Sequence, residues 1–175
     1  MRYAYYDGAP GVLVSGLVWL IAAVVCQMLG VKQGVWTLLI GGVFIHPLSV
    51  LLNKLLGRPG NTGKGNALNQ LAMASTFWLI VCCAMAFGLF LFIPLLFFPA
   101  MMASIGSRYL IFASLYGMPV YWVMGATLIG AGILALYLGL QPVAAAAIGG
   151  AIEVLFALYV FANAKRAQLP QLPPA

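Results

Sequence analysis

The sequence has very little charge, and almost none of it is negative. Charged residues make up 6% of the chain, and the only acidic side chains are Asp7 and Glu153. A soluble domain carries about 25% charged residues, so no water-facing surface can be built from this composition. Paired-carboxylate hydrolysis, two-metal catalysis and carboxylate-rich metal sites also lack the ligands they need.

Familiar catalytic and cofactor motifs are missing as well. There is no GxSxG, HExxH or Walker pattern, so an intramembrane enzyme would need an unusual site. The polar loop at residues 57–66, GRPGNTGKGN, is glycine-rich and basic but lacks the GK[ST] ending of a phosphate-binding loop. Cys26, Cys82 and Cys83 lie within apolar runs and form no CxxC pair. We therefore expect no catalytic residue, no metal and no cofactor.

Apolar residues, in contrast, are abundant: they make up 65% of the sequence, and the mean hydropathy is +1.09. This predicts an all-α integral membrane protein, a bundle of about six transmembrane helices that could form three helical hairpins. Residues 67–107 carry no charge and are long enough for two spans, with a break between 88 and 94. In a transmembrane domain of residues 1–167, the predicted spans are 11–29, 35–56, 68–87, 95–115, 119–138 and 143–163. Residues 168–175 are predicted to form a flexible tail.

The net charge of +6 is explained by membrane topology rather than by nucleic acid, which we do not expect as a partner. Cytoplasmic loops carry an excess of Lys and Arg. Six basic residues can all lie on one side of the membrane: Arg2, Lys54, Arg58, Lys64, Lys165 and Arg166. Lys32 falls outside this group. We predict a multi-pass protein of the cell membrane, the inner membrane of a bacterium, with both termini in the cytoplasm.

Three ionisable residues lie where lipid disfavours them: His46, Arg108 and Glu153. A charge at the centre of a membrane helix costs about 2.5–3.5 kcal/mol on the most lenient scale, so such residues face protein or a cavity. Glu153 is central in the last span, and small residues of the same helical face, Ala145, Gly149 and Ala157, should admit a neighbouring helix. It is a candidate proton-binding site if unpaired, and a structural residue if paired.

His46 and Arg108 have comparable alternatives. His46 precedes Pro47, so it could satisfy backbone groups freed by the proline, or it could relay protons or contact a ligand. Arg108 is about 10 Å from the cytoplasmic end of its span, so it could extend to the headgroups, pair with Glu153 or attract an anion. Both are candidate substrate-binding or proton-binding residues.

Further polar residues mark the cytoplasmic halves of spans two and three. Asn66, Asn69, Met73 and Thr76 share a helical face, which could line a water-filled vestibule or form hydrogen bonds between helices. The predicted supporting residues are Asn53, Asn66, Asn69, Gln70 and Thr76.

Two functions remain consistent with these residues. The first is a small transporter or channel-like protein, proton-coupled through Glu153, that acts on an unknown small solute or ion. The alternative is a non-transporting accessory subunit or assembly factor, in which the same residues hold helices together. The lipid bilayer is the expected partner in both cases, and a second copy or another membrane protein could join it.

Overall fold

Residues 5–58 and 67–166 are described by the structure, a computed structural model; the side chains of residues 67, 165 and 166 are not included. Within this part of the chain the fold is all-helical, with six long helices and no strand, which confirms the predicted class. The helices are α1 (Ala9–Leu29), α2 (Val31–Leu55), α3 (Ala67–Phe92), α4 (Phe97–Tyr116), α5 (Val120–Tyr137) and α6 (Pro142–Arg166).

Helix ends differ from the predicted spans mainly in α2 and α3. α2 begins at Val31 because Gly30 makes the turn alone, with a φ of +108° that side-chain-bearing residues rarely adopt. α3 continues through Gly88 to Phe92. Its end is set by Pro94, since a residue before proline avoids the helical region, and Ile93 is extended at φ −139° and ψ 94°.

Consecutive helices run in opposite directions. At one end of the bundle, Tyr121 Oη donates to the Asp7 carbonyl at 2.7 Å, and Arg58 lies over the Tyr6 ring at 5.2 Å. We call this the N-terminal end. At the opposite end, the rings of Trp36 in α2 and Phe87 in α3 lie 5.3 Å apart.

Packing is most extensive between α1 and α2, α1 and α6, and α4 and α5. The predicted hairpins α3–α4 and α5–α6 also make contact, but over less of their length. Glycines permit the close approaches: a Cβ on Gly125 of α5 would lie 2.6 Å from the Gly106 carbonyl oxygen of α4. The core is built mainly from α1, α4, α5 and α6, and α2 and α3 leave the largest share of their residues unburied.

Several predictions concern parts of the chain outside the described residues. They are the positions of Arg2, Lys64 and Asn66, and the flexible tail at residues 168–175.

Candidate functional site

Glu153 lies deep inside the bundle. It is eleven residues from the start of α6 at Pro142, which places it about 16 Å along the helix. Its exposed fraction is 0%, and Ala145 and Ala157 on the same helical face are also fully buried. The small-residue face therefore packs against protein, as the sequence predicted.

The Glu153 carboxyl group is held by a tyrosine of α4. Tyr109 Oη donates a hydrogen bond to Glu153 Oε1 at 2.9 Å, and both side chains are buried. Ser15 of α1 is a neighbour of both the Tyr109 hydroxyl and the carboxyl group. Glu153 Oε2, however, has no partner with hydrogen-bond geometry among the described residues. Three helices thus meet at one carboxyl group whose neighbours, Tyr109 and Ser15, are hydroxyl groups.

Glycines in α1 and α6 bring these helices close enough for that contact. A Cβ on Gly16 would lie 2.8 Å from Val154 Cγ2 and 3.1 Å from Glu153 Cβ. A Cβ on Gly150 would lie 3.0 Å from the Gly16 carbonyl oxygen. Since such distances leave no room for a side chain, Gly16 and Gly150 place Ser15 beside the carboxyl group.

Aromatic rings fill the space between this carboxyl group and the N-terminal end. The Tyr109 ring stacks on Tyr121 at 6.1 Å, and Tyr121 stacks on Tyr116 at 5.4 Å. Tyr121 in turn bonds the Asp7 carbonyl. The rings exclude lipid and water from that side of Glu153, so the carboxyl group sits in a rigid, closely packed environment.

Arg108 is next to Tyr109 in the chain but points elsewhere. Its Nη2 donates to Thr76 Oγ1 of α3 at 3.1 Å, and its guanidinium lies 5.2 Å from the Phe112 ring centroid. No nitrogen of Arg108 comes within the 4.0 Å of an ion pair with Glu153. The pairing that the sequence allowed is therefore not formed.

His46 does not join this site. It is exposed on α2, whereas Glu153 is fully buried, and no hydrogen bond links it to either Glu153 or Arg108. The backbone carbonyl of His46 accepts a hydrogen bond from Ser49 Oγ at 2.8 Å. The buried face of α2 instead carries Ser49, which lies near Gly11 of α1.

The supporting polar residues are divided between the inside and the outside. Asn53 is buried; its Nδ2 donates to the Ser49 carbonyl at 2.8 Å, and its Oδ1 has no partner within the described chain. Asn69 is half-buried, while Gln70 and Thr76 are exposed. Since Met73 on the same face is also exposed, the described part of this face is turned mainly outward.

Sequence reasoning missed Tyr109 and Ser15. Tyr109 is 44 residues from Glu153 along the chain, so no local pattern relates them. A weak signal for Ser15 did exist, namely a hydroxyl next to glycine inside an apolar span. For metals, residues 5–58 and 67–166 contain no group of three His, Cys, Asp or Glu side chains placed to hold an ion.

The six long apolar helices of the described chain define a multi-pass helical membrane protein with a polar group enclosed in its core. The chain belongs to the family described as "Family of unknown function (DUF7010)", whose model matches residues 1–163. No curated protein and no solved structure matches the chain.

Proposed function

We propose that this protein is a small proton-coupled membrane transporter or channel-like protein in which Glu153 binds and releases the proton. The observation that carries the proposal is the bonding of its carboxyl group. Glu153 is completely buried, receives a hydrogen bond from the neutral Tyr109 hydroxyl and has no cation within ion-pair distance among the described residues. A buried ionisable group inside a membrane protein is a functional candidate by default.

The lack of a cation beside this carboxyl group, among the described residues, bears on its capacity to exchange a proton. A buried carboxylate paired with an arginine resists protonation, because taking up a proton leaves the arginine buried without its counter-charge, which costs about 3–5 kcal/mol. Here the groups beside the carboxyl group are the Tyr109 and Ser15 hydroxyls, and among the described residues no cation lies within ion-pair distance. Proton uptake at Glu153 therefore needs no ion pair to break.

Flux measurements in liposomes test this proposal. Purified protein is reconstituted with an internal pH dye, and proton movement is followed under a panel of solute gradients. We expect at least one solute to drive proton flux in the wild type, and Glu153→Gln to abolish it, since an amide keeps the shape but cannot exchange a proton. Absent flux in the wild type, or equal flux in the variant, would contradict the proposal.

Asp7→Asn provides the matched control, because Asp7 is the other acidic residue of the chain. The backbone carbonyl of Asp7 accepts the hydrogen bond from Tyr121, and the substitution leaves that carbonyl in place. Its φ of +57° is a conformation that asparagine tolerates well. We expect Asp7→Asn to keep the flux that Glu153→Gln loses.

Orientation and location belong to the same proposal. Lys54 and Arg58 lie at the N-terminal end of the bundle, and Lys32 lies at the opposite end. The positive-inside rule then places the N-terminal end, including the end of α6, in the cytoplasm of a cell whose plasma membrane or bacterial inner membrane holds the protein.

A non-transporting accessory subunit is the second candidate, and the exposure of α2 and α3 favours it. Polar side chains on these helices, His46 and Thr76 among them, face away from the core. A partner helix would cover them better than lipid does. A defined partner held at fixed stoichiometry through purification, in a protein without proton flux, would support this function over transport.

A further inference from the structure

Arg108 has more hydrogen-bonding capacity than the described chain uses. It lies eight residues before the end of α4 at Tyr116, about 12 Å from the N-terminal end of the bundle, and is half-buried between α3 and α4. One nitrogen bonds Thr76, and Nε is buried without a hydrogen-bond partner among the described residues. A guanidinium offers five N–H donors in a planar fork. The Nε donor is buried away from the surface, so the donors that remain for another molecule are those of the two terminal nitrogens.

The surroundings of Arg108 are polar on the outer surface of α3 and α4. Trp78 Nε1 donates to Ser107 Oγ at 3.4 Å, and both Trp78 and Thr76 are exposed. Thr76 and Ser107 also donate their hydroxyl protons to backbone carbonyls one turn away, at 3.0 and 2.7 Å. These bonds fix the hydroxyl oxygens, which leaves the guanidinium as the group that an incoming anion would meet.

The chain itself has no suitable counter-ion for this arginine. Its only acidic side chains are Asp7 and Glu153. Glu153 is fully buried and bonded by Tyr109, and Asp7 is buried at the N-terminal end. A second copy of the chain would bring the same two buried carboxyl groups. An anion that pairs with Arg108 must therefore come from another molecule.

We propose that the Arg108 guanidinium, oriented by Thr76 and lying beside Trp78 and Ser107, binds an oxyanion of the phosphate type at the α3–α4 surface. The planar guanidinium matches the geometry of phosphate oxygens, and such charge-assisted bonds are stronger than neutral ones. The phosphate group belongs either to an anionic lipid of the adjacent leaflet or to a small soluble molecule. The site does not depend on a proton role for Glu153.

Binding to the full-length protein in detergent, after removal of bound lipid, tests the proposal. One arm measures retention of phosphatidylglycerol against phosphatidylcholine with the same acyl chains, by native mass spectrometry. The other arm measures binding of inorganic phosphate by calorimetry. We expect Arg108→Gln to weaken the binding found in either arm by about tenfold or more, since a charge-assisted hydrogen bond is lost.

Lys32→Gln is the matched control, because it removes an exposed cation at the opposite end of the bundle. We expect it to leave binding unchanged. Selective retention of phosphatidylglycerol identifies the anion as a lipid headgroup, and saturable binding of phosphate identifies it as a soluble molecule; dependence on Arg108 in either arm supports the site.

Equal binding by the wild type and Arg108→Gln, or no binding in both arms, would overturn the proposal. If Arg108→Gln does not fold, Thr76→Val tests the same site. Thr76 is exposed, so its substitution should not prevent folding, and its hydroxyl group orients the guanidinium. We expect Thr76→Val to bind the anion about threefold more weakly, and binding at the wild-type level would overturn the proposal. Proton flux that is lost in Glu153→Gln but retained in Arg108→Gln would leave the proposed transport function intact.

Discussion

The central helices and the two outer helices of this bundle place their polar side chains differently. Half of the most apolar 18-residue window of α1 is buried, whereas the corresponding share is 17% in both α2 and α3. In the centre, Glu153 is enclosed by Tyr109 and Ser15. On the outside, His46 and Thr76 lie at the surface.

This contrast follows from where the close helix contacts occur. In the centre, Gly16, Gly106, Gly125 and Gly150 allow neighbouring backbones to approach until no room for a Cβ is left. In α2, Gly34 and Gly41 also pack closely on α1, but Gly42, like Gly88 of α3, has nothing within 4 Å of an added Cβ. A hydropathy profile does not distinguish these glycines, yet only Gly16 and Gly150 lie at the helix contact beside Glu153.

The largest effect that we expect comes from adding a methyl group at the central contact. Gly16→Ala would place Cβ 2.9 Å from the backbone nitrogen of Val154, which cannot move aside without shifting α6. We expect the free energy of unfolding to fall by about 1–3 kcal/mol, as overpacking does elsewhere. Unfolding of the purified protein by SDS, followed by circular dichroism, measures it.

Gly88→Ala is the matched control in an outer helix. Since its Cβ would meet nothing within 4 Å and alanine favours helix, we expect no loss of stability or a gain of up to about 1 kcal/mol. Equal destabilisation by the two alanines would contradict the division into a tightly packed centre and the outward-facing surfaces of α2 and α3.

Much of the fold was predictable, because the number of helices follows from hydropathy and the position of a helix end follows from proline. Six spans and the inward direction of Glu153 follow from apolar length and from small residues on one face. The end of α3 was predicted five residues early because Gly88 resembled a break, although glycine is tolerated within membrane helices.

The partners of the site residues could not be predicted in the same way. Nearly every face of α2 is apolar, so the sequence does not tell which one packs on α1, and His46 was placed inside by default. Tyr109 was overlooked because it lies 44 residues from Glu153 along the chain, and their contact depends on how α4 crosses α6. Contacts between distant helices, unlike span length, leave no periodic signal.

A smaller effect is expected from removing the hydroxyl group that bonds Glu153. Tyr109→Phe leaves Glu153 Oε1 without its 2.9 Å donor but keeps the stacked ring. We expect a loss of about 0.5–1.5 kcal/mol in the free energy of unfolding, the usual contribution of one buried hydrogen bond. Tyr137→Phe, at a side chain that is 89% exposed, should change stability very little. If both phenylalanine variants unfold alike, the hydrogen bond to Glu153 contributes nothing.

The smallest effect is expected at His46, and it tests the outer region directly. His46→Ala removes an exposed imidazole that makes no side-chain hydrogen bond with the described residues, so unfolding of the detergent-solubilised protein should change by less than about 0.5 kcal/mol. Destabilisation as large as that of Tyr109→Phe would mean that His46 packs inside and that the two regions are not distinct. The same variant measured in native membranes adds a second comparison: a change in stability or assembly there, with none in detergent, means that another molecule covers α2 in the membrane.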